Sequence, residues 1–188
     1  PSVLIVGPGL GRSPWSEQLL QKAVAAELPM VVDADALNII AEGRVVSEPN
    51  GHLWVMTPHP AEAARLLGIT VDEVQADRFA AVRRLQQKYH AVVLLKGAGT
   101  LIACPNDELI KVCPYGNPGM ATGGMGDILS GIIGGLLAQG LEPSLAAELG
   151  CCLHSAAADM AVEEQGVRGL AATDVLAHLR KLLNSEIE

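Results

Sequence analysis

The chain is poor in aromatic side chains: one Phe, two Tyr and two Trp make up 3% of its 188 residues. Stacking platforms for single-stranded nucleic acid are built from such rings, so that function is disfavoured at the outset. Charged residues are also scarce, at 18%. With 13 Lys and Arg against 21 Asp and Glu, the net charge is −8, the wrong sign for non-specific nucleic-acid binding. Any anionic ligand must therefore be held by local donors and helix ends. The four cysteines, Cys104, Cys113, Cys151 and Cys152, form no CxxC pair and lie in apolar runs. They read as small buried hydrophobes rather than disulfides or metal ligands, and a reducing, cytoplasmic compartment is expected. No signal-peptide pattern is visible, and no uncharged apolar run is long enough for a bilayer. The most apolar segment, Ile128 to Ala138, is short and dotted with glycine. Internal repeats, low-complexity tracts and linkers are missing too.

Hydrophobic residues make up 49% of the chain, enough for one domain with a large core. Short apolar runs alternate with amphipathic segments, the pattern of a mostly parallel sheet covered by helices. Strands are expected at Val3–Val6, Met30–Val32, Leu53–Met56 and Ala91–Leu95. A hairpin-like pair is expected at Thr100–Ala103 and Leu109–Val112, around Pro105-Asn106-Asp107. Ser13-Pro14 with Glu17 reads as a capped helix start, with a helix to about Glu27. Pro60 to Leu67 reads as a helix stopped by Gly68. Thr70 with Glu73 reads as a capping box opening one helix to about Tyr89. Further helices are expected at about Gly126–Gln139 and Ser144–Glu164, with a last one capped by Thr173-Asp174 and running to about Leu183.

The chemistry-bearing residues fall where predicted strands end or helices begin, the edge at which open α/β sheets bind ligands. Asn117 to Asp127 carries glycines 119, 123, 124 and 126 and runs into a long apolar helix. Glycines let backbone approach phosphates, and free amides at a helix start attract anions, so Gly123, Gly124, Met125 and Gly126 form a candidate anion hole. Asp127 would repel a phosphate unless it removes a proton from a hydroxyl that attacks it. A plain capped turn is the alternative. Gly7-Pro8-Gly9-Leu10-Gly11 follows a strand but is not GxGxxG, so it does not support a dinucleotide fold signature. Its amides could face a ligand, or it could be a simple turn. Asp33 and Asp35 would share one face by the strand's period of two. They could hold Mg²⁺ through water, with Glu62 a third weak candidate, or Asp35 could cap a helix through Asn38. His59 is held between Pro58 and Pro60, which points to a ligand contact. His154, in an apolar helix, reads as a satisfied core histidine; His52, His90 and His178 read as surface or loop residues. Lys96-Gly97-Ala98-Gly99-Thr100 suits a nucleotide's phosphate or ribose, or a hairpin turn, and is not a P-loop.

Taken together, Gly123 to Gly131 (Gly-Gly-Met-Gly-Asp-Ile-Leu-Ser-Gly) resembles the GxGD signature of ribokinase-like enzymes. In this form it resembles that of the bacterial ADP-dependent NAD(P)H-hydrate dehydratases, the YjeF C-terminal family. The motifs at 7–11, 33–38, 57–62 and 96–100 occur in the family's order, so the resemblance spans nearly the whole chain. It implies a ribokinase-like three-layer αβα sandwich and ADP and Mg²⁺ as co-substrate and cofactor. The substrates implied are the hydrated nucleotides NADHX and NADPHX. It further implies Asp127 as catalytic base and substrate contact. Lys96, Gly97, Ala98, Gly99, Thr100 and Gly126 would bind ADP; Gly9, Gly11 and His59 would bind the hydrated nucleotide. Ala61 stands where the family usually has Gly, which puts the role of Glu62 in question. Family members carry strands before the position of Pro1, so residues 1–188 are expected to be the later part of the domain. In two-domain members an epimerase lies further upstream. Small-alcohol kinases of the same superfamily are the alternative enzyme, and a nucleotide-binding subunit without turnover is the alternative of another class. The apolar helix surface from Leu145 to Met160 suggests a homo-oligomer. No nucleic-acid or membrane partner is expected.

Overall fold

The computed structural model describes residues 1–45 and 53–184. Six strands form one sheet in the order in which they occur: β1 (Leu4–Val6), β2 (Met30–Val32), β3 (Trp54–Met56), β4 (Val92–Leu95), β5 (Leu101–Ala103) and β6 (Ile110–Val112). The first four run parallel; β5 runs antiparallel to β4 and β6 antiparallel to β5, as the hairpin reading expected. β2 to β5 are buried at every position, which is why they read as continuous apolar runs without polar alternation.

Helices α1 (Pro14–Ala25), α2 (Ala34–Ala41), α3 (Pro60–Leu67), α4 (Val71–Ala76) and α5 (Arg78–Tyr89) follow the parallel strands, and α6 (Met125–Ala138), α7 (Pro143–Gln165) and α8 (Asp174–Leu183) follow the hairpin. Alternate residues of each strand face opposite layers. Met30, Val32, Met56, Val93 and Leu95 pack with Leu20, Leu37, Leu66 and Leu85 from α1, α2, α3 and α5. Val31, Val55, Val92 and Leu94 pack with Leu129, Ile133, Ala147 and Cys151 from α6 and α7. The result is the three-layer αβα sandwich that the resemblance implied. Glycine makes the second layer possible: a Cβ on Gly134 would stand 2.5 Å from the Ile5 side chain of β1.

Several local expectations are corrected. The N-terminal capping box of α1 pairs Ser13 with Ser16, not Glu17; Ser16 occupies the third helical position, and Glu17 instead ion-pairs with Arg44. The single helix expected from Thr70 to Tyr89 is two. Asp77 leaves helical geometry (φ −146°), and its carboxylate accepts the Ala80 N–H to start α5. Helix α7 is long and apolar enough, by length and composition alone, to cross a membrane, unlike the shorter segment singled out from sequence. Half of its apolar window is buried, and it packs against α6, α8, β3 and β4, the position of a core helix. His178 is buried in α8 with Nε2 3.7 Å from Glu164, because it lies on that helix's inward face. His52 lies outside the described residues. All four cysteines are free, three of them buried.

Candidate active site

The carboxyl edge of the sheet gathers charges that lie up to 63 positions apart in the sequence. Lys96 leaves β4 with its N–H donated to the Pro58 carbonyl. Its ammonium donates to Asp33 Oδ1 at 2.9 Å and lies 4.0 Å from Glu62 Oε2. Asp33 is buried at the end of β2 and caps α2 by accepting the Ala34 N–H; its second oxygen accepts the Ser130 hydroxyl at 2.9 Å. Both oxygens are thus engaged by this chain. Burying a carboxylate is tolerable because of that pairing.

The shared strand face expected of Asp33 and Asp35 is not formed, because α2 begins at Ala34. Asp35 sits in its first turn and accepts the Gly11 N–H at 2.8 Å. That bond occupies the amide expected to be open to a ligand. Asp33, not Asp35, caps α2. Gly7 is required here by geometry: its φ is +127°, and a Cβ would stand 1.7 Å from the Asp33 carbonyl oxygen.

His59 is the N-cap of α3. Its Nδ1 accepts the Ala61 N–H at 3.1 Å, which leaves the neutral ring's proton on Nε2, 3.3 Å from Glu62 Oε1. Glu62 closes the box by accepting the His59 N–H at 2.8 Å. The Ala61 amide is thus part of the cap. Burial, then the neighbouring Lys96 and Arg65 charges, lower the His59 pKa. Burial raises that of Glu62, with Lys96 opposing.

Helix α6 begins at Met125 from a left-handed Gly124 (φ +88°), and no side chain caps it. Its first backbone bond runs from the Ile128 N–H to the Gly124 carbonyl. The amides of Met125, Gly126 and Asp127 precede it and are left for a ligand. Gly126 brings this helix start down onto the ion pair: a Cβ there would lie 3.4 Å from Lys96 Nζ and 3.6 Å from Asp33 Oδ2.

A cleft of about 830 Å³ opens between the α6 start, the 96–100 loop, the 114–122 segment and α7. It brings together His59, Lys96, Gly97, Ala98, Gly99, Thr100, Met125 and Gly126. Asp127 is the next residue along, in the first turn of α6 and exposed. Gly123 and Gly124 are exposed just before it, and Gly9 and Gly11 are exposed beyond β1; none of these lines the cleft. Three groups missed in the sequence complete the site. Tyr115, Asn117 and Met120 form one wall, and Asp159 of α7 pins that wall by accepting the Gly116 N–H and the Asn117 side-chain amide. Cys151, His154 and Ser155 of α7 form another wall. Arg78 braces the 96–100 loop, donating to the carbonyls of Ala98 at 2.6 Å and Leu95 at 3.3 Å. The sequence reading carries one helix through Arg78 and gives it no role.

Among the described residues no cluster of three or more His, Cys, Asp or Glu side chains could hold a metal ion. Of the carboxylates weighed for a metal, Asp33 has both oxygens engaged by this chain, Asp35 accepts the Gly11 N–H and Glu62 accepts the His59 N–H.

The αβα sandwich, with its cleft between a Lys-Gly-x-Gly loop and a glycine-started helix, is similar to a solved ribokinase-like superfamily protein of Enterococcus faecalis, with a TM-score of 0.79 and 29% identity, covering 97% of this chain and 63% of that one. Among solved structures, the ADP/ATP-dependent NAD(P)H-hydrate dehydratase of Bacillus subtilis, co-crystallised with ATP and Mg²⁺, superposes with a TM-score of 0.84. It is 28% identical and covers 97% of this chain and 65% of its own. Residues 1–181 match the family described as NAD(P)H-hydrate dehydratase, and the chain belongs to that family. It is 56% identical over 183 residues to the bifunctional NAD(P)H-hydrate repair enzyme Nnr of Coxiella burnetii, covering 97% of this chain and 36% of that protein. It is 48% identical over 186 residues to the ADP-dependent (S)-NAD(P)H-hydrate dehydratase of Neisseria meningitidis, covering 96% of this chain and 62% of that one. The chain thus spans about a third of the first relative's length and under two thirds of the second's.

Proposed function

We propose that the chain catalyses the ADP-dependent dehydration of the S epimer of hydrated NADH or NADPH. The observation that carries the reading is the uncapped start of α6, seated on the Lys96–Asp33 pair and opening into the cleft, with Asp127 on the next residue. ADP lies in the cleft, its phosphates against the 96–100 loop and the Met125–Asp127 amides. Asp127 takes the proton of the ring hydroxyl as that oxygen attacks the β-phosphoryl group, and AMP leaves. The helix-start amides and Lys96 hold the charge on the phosphoryl oxygens. The ring nitrogen then pushes out inorganic phosphate, the resulting iminium loses a proton from the adjacent ring carbon to solvent, and NADH or NADPH is restored. Mg²⁺ carried by the nucleotide supplies further neutralisation of phosphate charge. Gly9, Gly11 and His59 contact the hydrated nucleotide. The relatives' names support this substrate over the small alcohols of a related kinase, which would stop at the phosphorylated product.

An epimerase activity joined to or acting with this chain accords with the bifunctional naming of the Coxiella relative. A homo-oligomer is proposed from the exposed Leu145 and Leu149 on α7, and a cytoplasmic location from the free thiols.

The test is recovery of NADH absorbance from NADH hydrate with ADP and Mg²⁺. Turnover should require ADP, release phosphate, and fall roughly 10²–10⁴-fold in Asp127→Asn. Full activity in that variant would remove Asp127 as base. Accumulation of a phosphorylated product would favour the kinase.

A further inference from the structure

His154 is the polar side chain of the cleft that the proposed reaction does not use. It lies one turn after Cys151, where α7 leaves the core formed with β3 and β4 and passes over the sheet's carboxyl edge. It lines the cleft with Cys151 and Ser155, is 4% exposed, and its Nε2 has no hydrogen-bond partner. A buried polar nitrogen without a partner costs stability, so its presence in a ligand-sized cavity calls for a partner supplied from that cavity.

The chemistry of the neighbours says which part of a ligand. Phosphate donors are concentrated at Lys96 and the α6 start. Beside His154 on α7 the cleft is lined by Cys151 and Ser155, and elsewhere by the apolar Leu129 and Met120, with Lys96 the charged group that acts on the ring. Such a lining suits a base or sugar more than a diphosphate. The imidazole is also held neutral, by burial first and by Lys96 second. A neutral ring offers one N–H and one lone pair, the equipment for a ribose hydroxyl or a base nitrogen.

We infer that His154 is a nucleotide-binding residue whose unpaired ring nitrogen hydrogen-bonds the nucleoside half of the ADP in this cleft. The inference rests on the ADP reading above and adds a residue and a subsite to it. The whole chain is titrated with ADP, AMP and inorganic pyrophosphate, as wild type, His154→Leu and His154→Gln. Losing one hydrogen bond should weaken ADP and AMP alike by about 3- to 10-fold in the leucine variant, while glutamine, which retains an amide N–H, stays within about twofold of wild type. Without ligand, the leucine variant should melt no lower than wild type, because it removes an orphaned polar atom. A merely structural histidine would show the reverse, lower melting and unchanged affinity. Ring ¹⁵N resonances of wild-type His154 supply a reading that no variant's folding can spoil: they should move with ADP and AMP and stay put with pyrophosphate. Unmoved resonances at saturating ADP would overturn the inference, as would an equal response to pyrophosphate. If wild type binds no ADP at all, it is the parent reading that has failed.

Discussion

Replacing Asp33 by alanine separates two accounts of this carboxylate. In the structure it accepts three hydrogen bonds, from the Ala34 N–H, Lys96 Nζ and the Ser130 hydroxyl, while almost wholly buried. Its removal leaves the Lys96 side chain, 22% exposed, with Glu62 at 4.0 Å as its remaining carboxylate. Breaking a buried pair from one side costs about 3–5 kcal/mol, and partial access of water to Lys96 moves the expectation to about 3 kcal/mol. Asp33→Asn keeps the shape. Its oxygen can still accept from Ala34 and Lys96, and its amide can donate to Ser130, so only the charge-assisted part is lost, about 1–2 kcal/mol. Urea unfolding at pH 7 of wild type and both variants measures these differences. If Asp33 instead served chiefly to carry a hydrated metal ion, alanine would leave the free protein within about 1 kcal/mol of wild type and raise the Mg²⁺ needed for turnover. That result would refute the role assigned to the Lys96–Asp33 pair.

Three further outcomes are expected. Burial pushes the His154 pKa down from 6.5 to about 4, so below pH 6.5 the unfolded chain binds a proton that the fold refuses. Stability should therefore fall as pH drops from 6.5 towards 4, by about 3 kcal/mol at most from this group. The raised Glu62 pKa works in the opposite sense on acidification, so the loss is read as the difference between wild type and His154→Leu in urea at pH 7, 6 and 5. An identical pH slope in both proteins would count against it. Arg78→Ala should loosen the 96–100 loop and weaken ADP binding roughly 3- to 30-fold by calorimetry, since charged hydrogen bonds to two carbonyls are lost. Gly7→Ala should cost at least ~3 kcal/mol in the same unfolding assay, because strain at φ +127° adds to a 1.7 Å collision with the Asp33 backbone. A normal melting curve would mean that the backbone there can move.

Strands and glycine motifs were legible because their signals are local. β2 to β5 are apolar runs bounded by breakers, and the α6 start is announced by glycines 123, 124 and 126. What was missed depends on where side chains go after the chain has folded. His154 and His178 look like unremarkable polar residues on apolar or amphipathic helices. The packing of α7 over the strand ends makes one a cleft wall, and the inward face of α8 buries the other. The cleft's remaining lining comes from residues 114–122, of which only those from Asn117 on lay in a stretch the sequence singled out, and from α7, which carries no motif. Asp33 and Asp35 misled for a simpler reason: a period-two reading was carried one residue beyond the strand, into a helix that Asp33 itself caps.

On the proposed reading, the α6 start would let two substrates meet without competing for one cavity. Phosphoryl transfer runs through a loose transition state with entering and leaving oxygens roughly in line, so nucleotide and hydroxyl must approach the transferred group from opposite sides. Successive residues on a helix point about 100° apart. Gly126 faces the cleft and Lys96, while Asp127 is exposed outside it. A β-phosphate held by amides 125–127 would thus meet ADP's leaving oxygen from the cleft and the attacking hydroxyl from the Asp127 side. A Cβ at 126 would stand 3.4 Å from Lys96 Nζ and 3.6 Å from Asp33 Oδ2, so glycine leaves this helix start free to sit close to the ion pair. On the proposed reading, Gly126 lets the helix-start amides sit close to the cation, and Asp127, the next residue, would present the base to the second substrate.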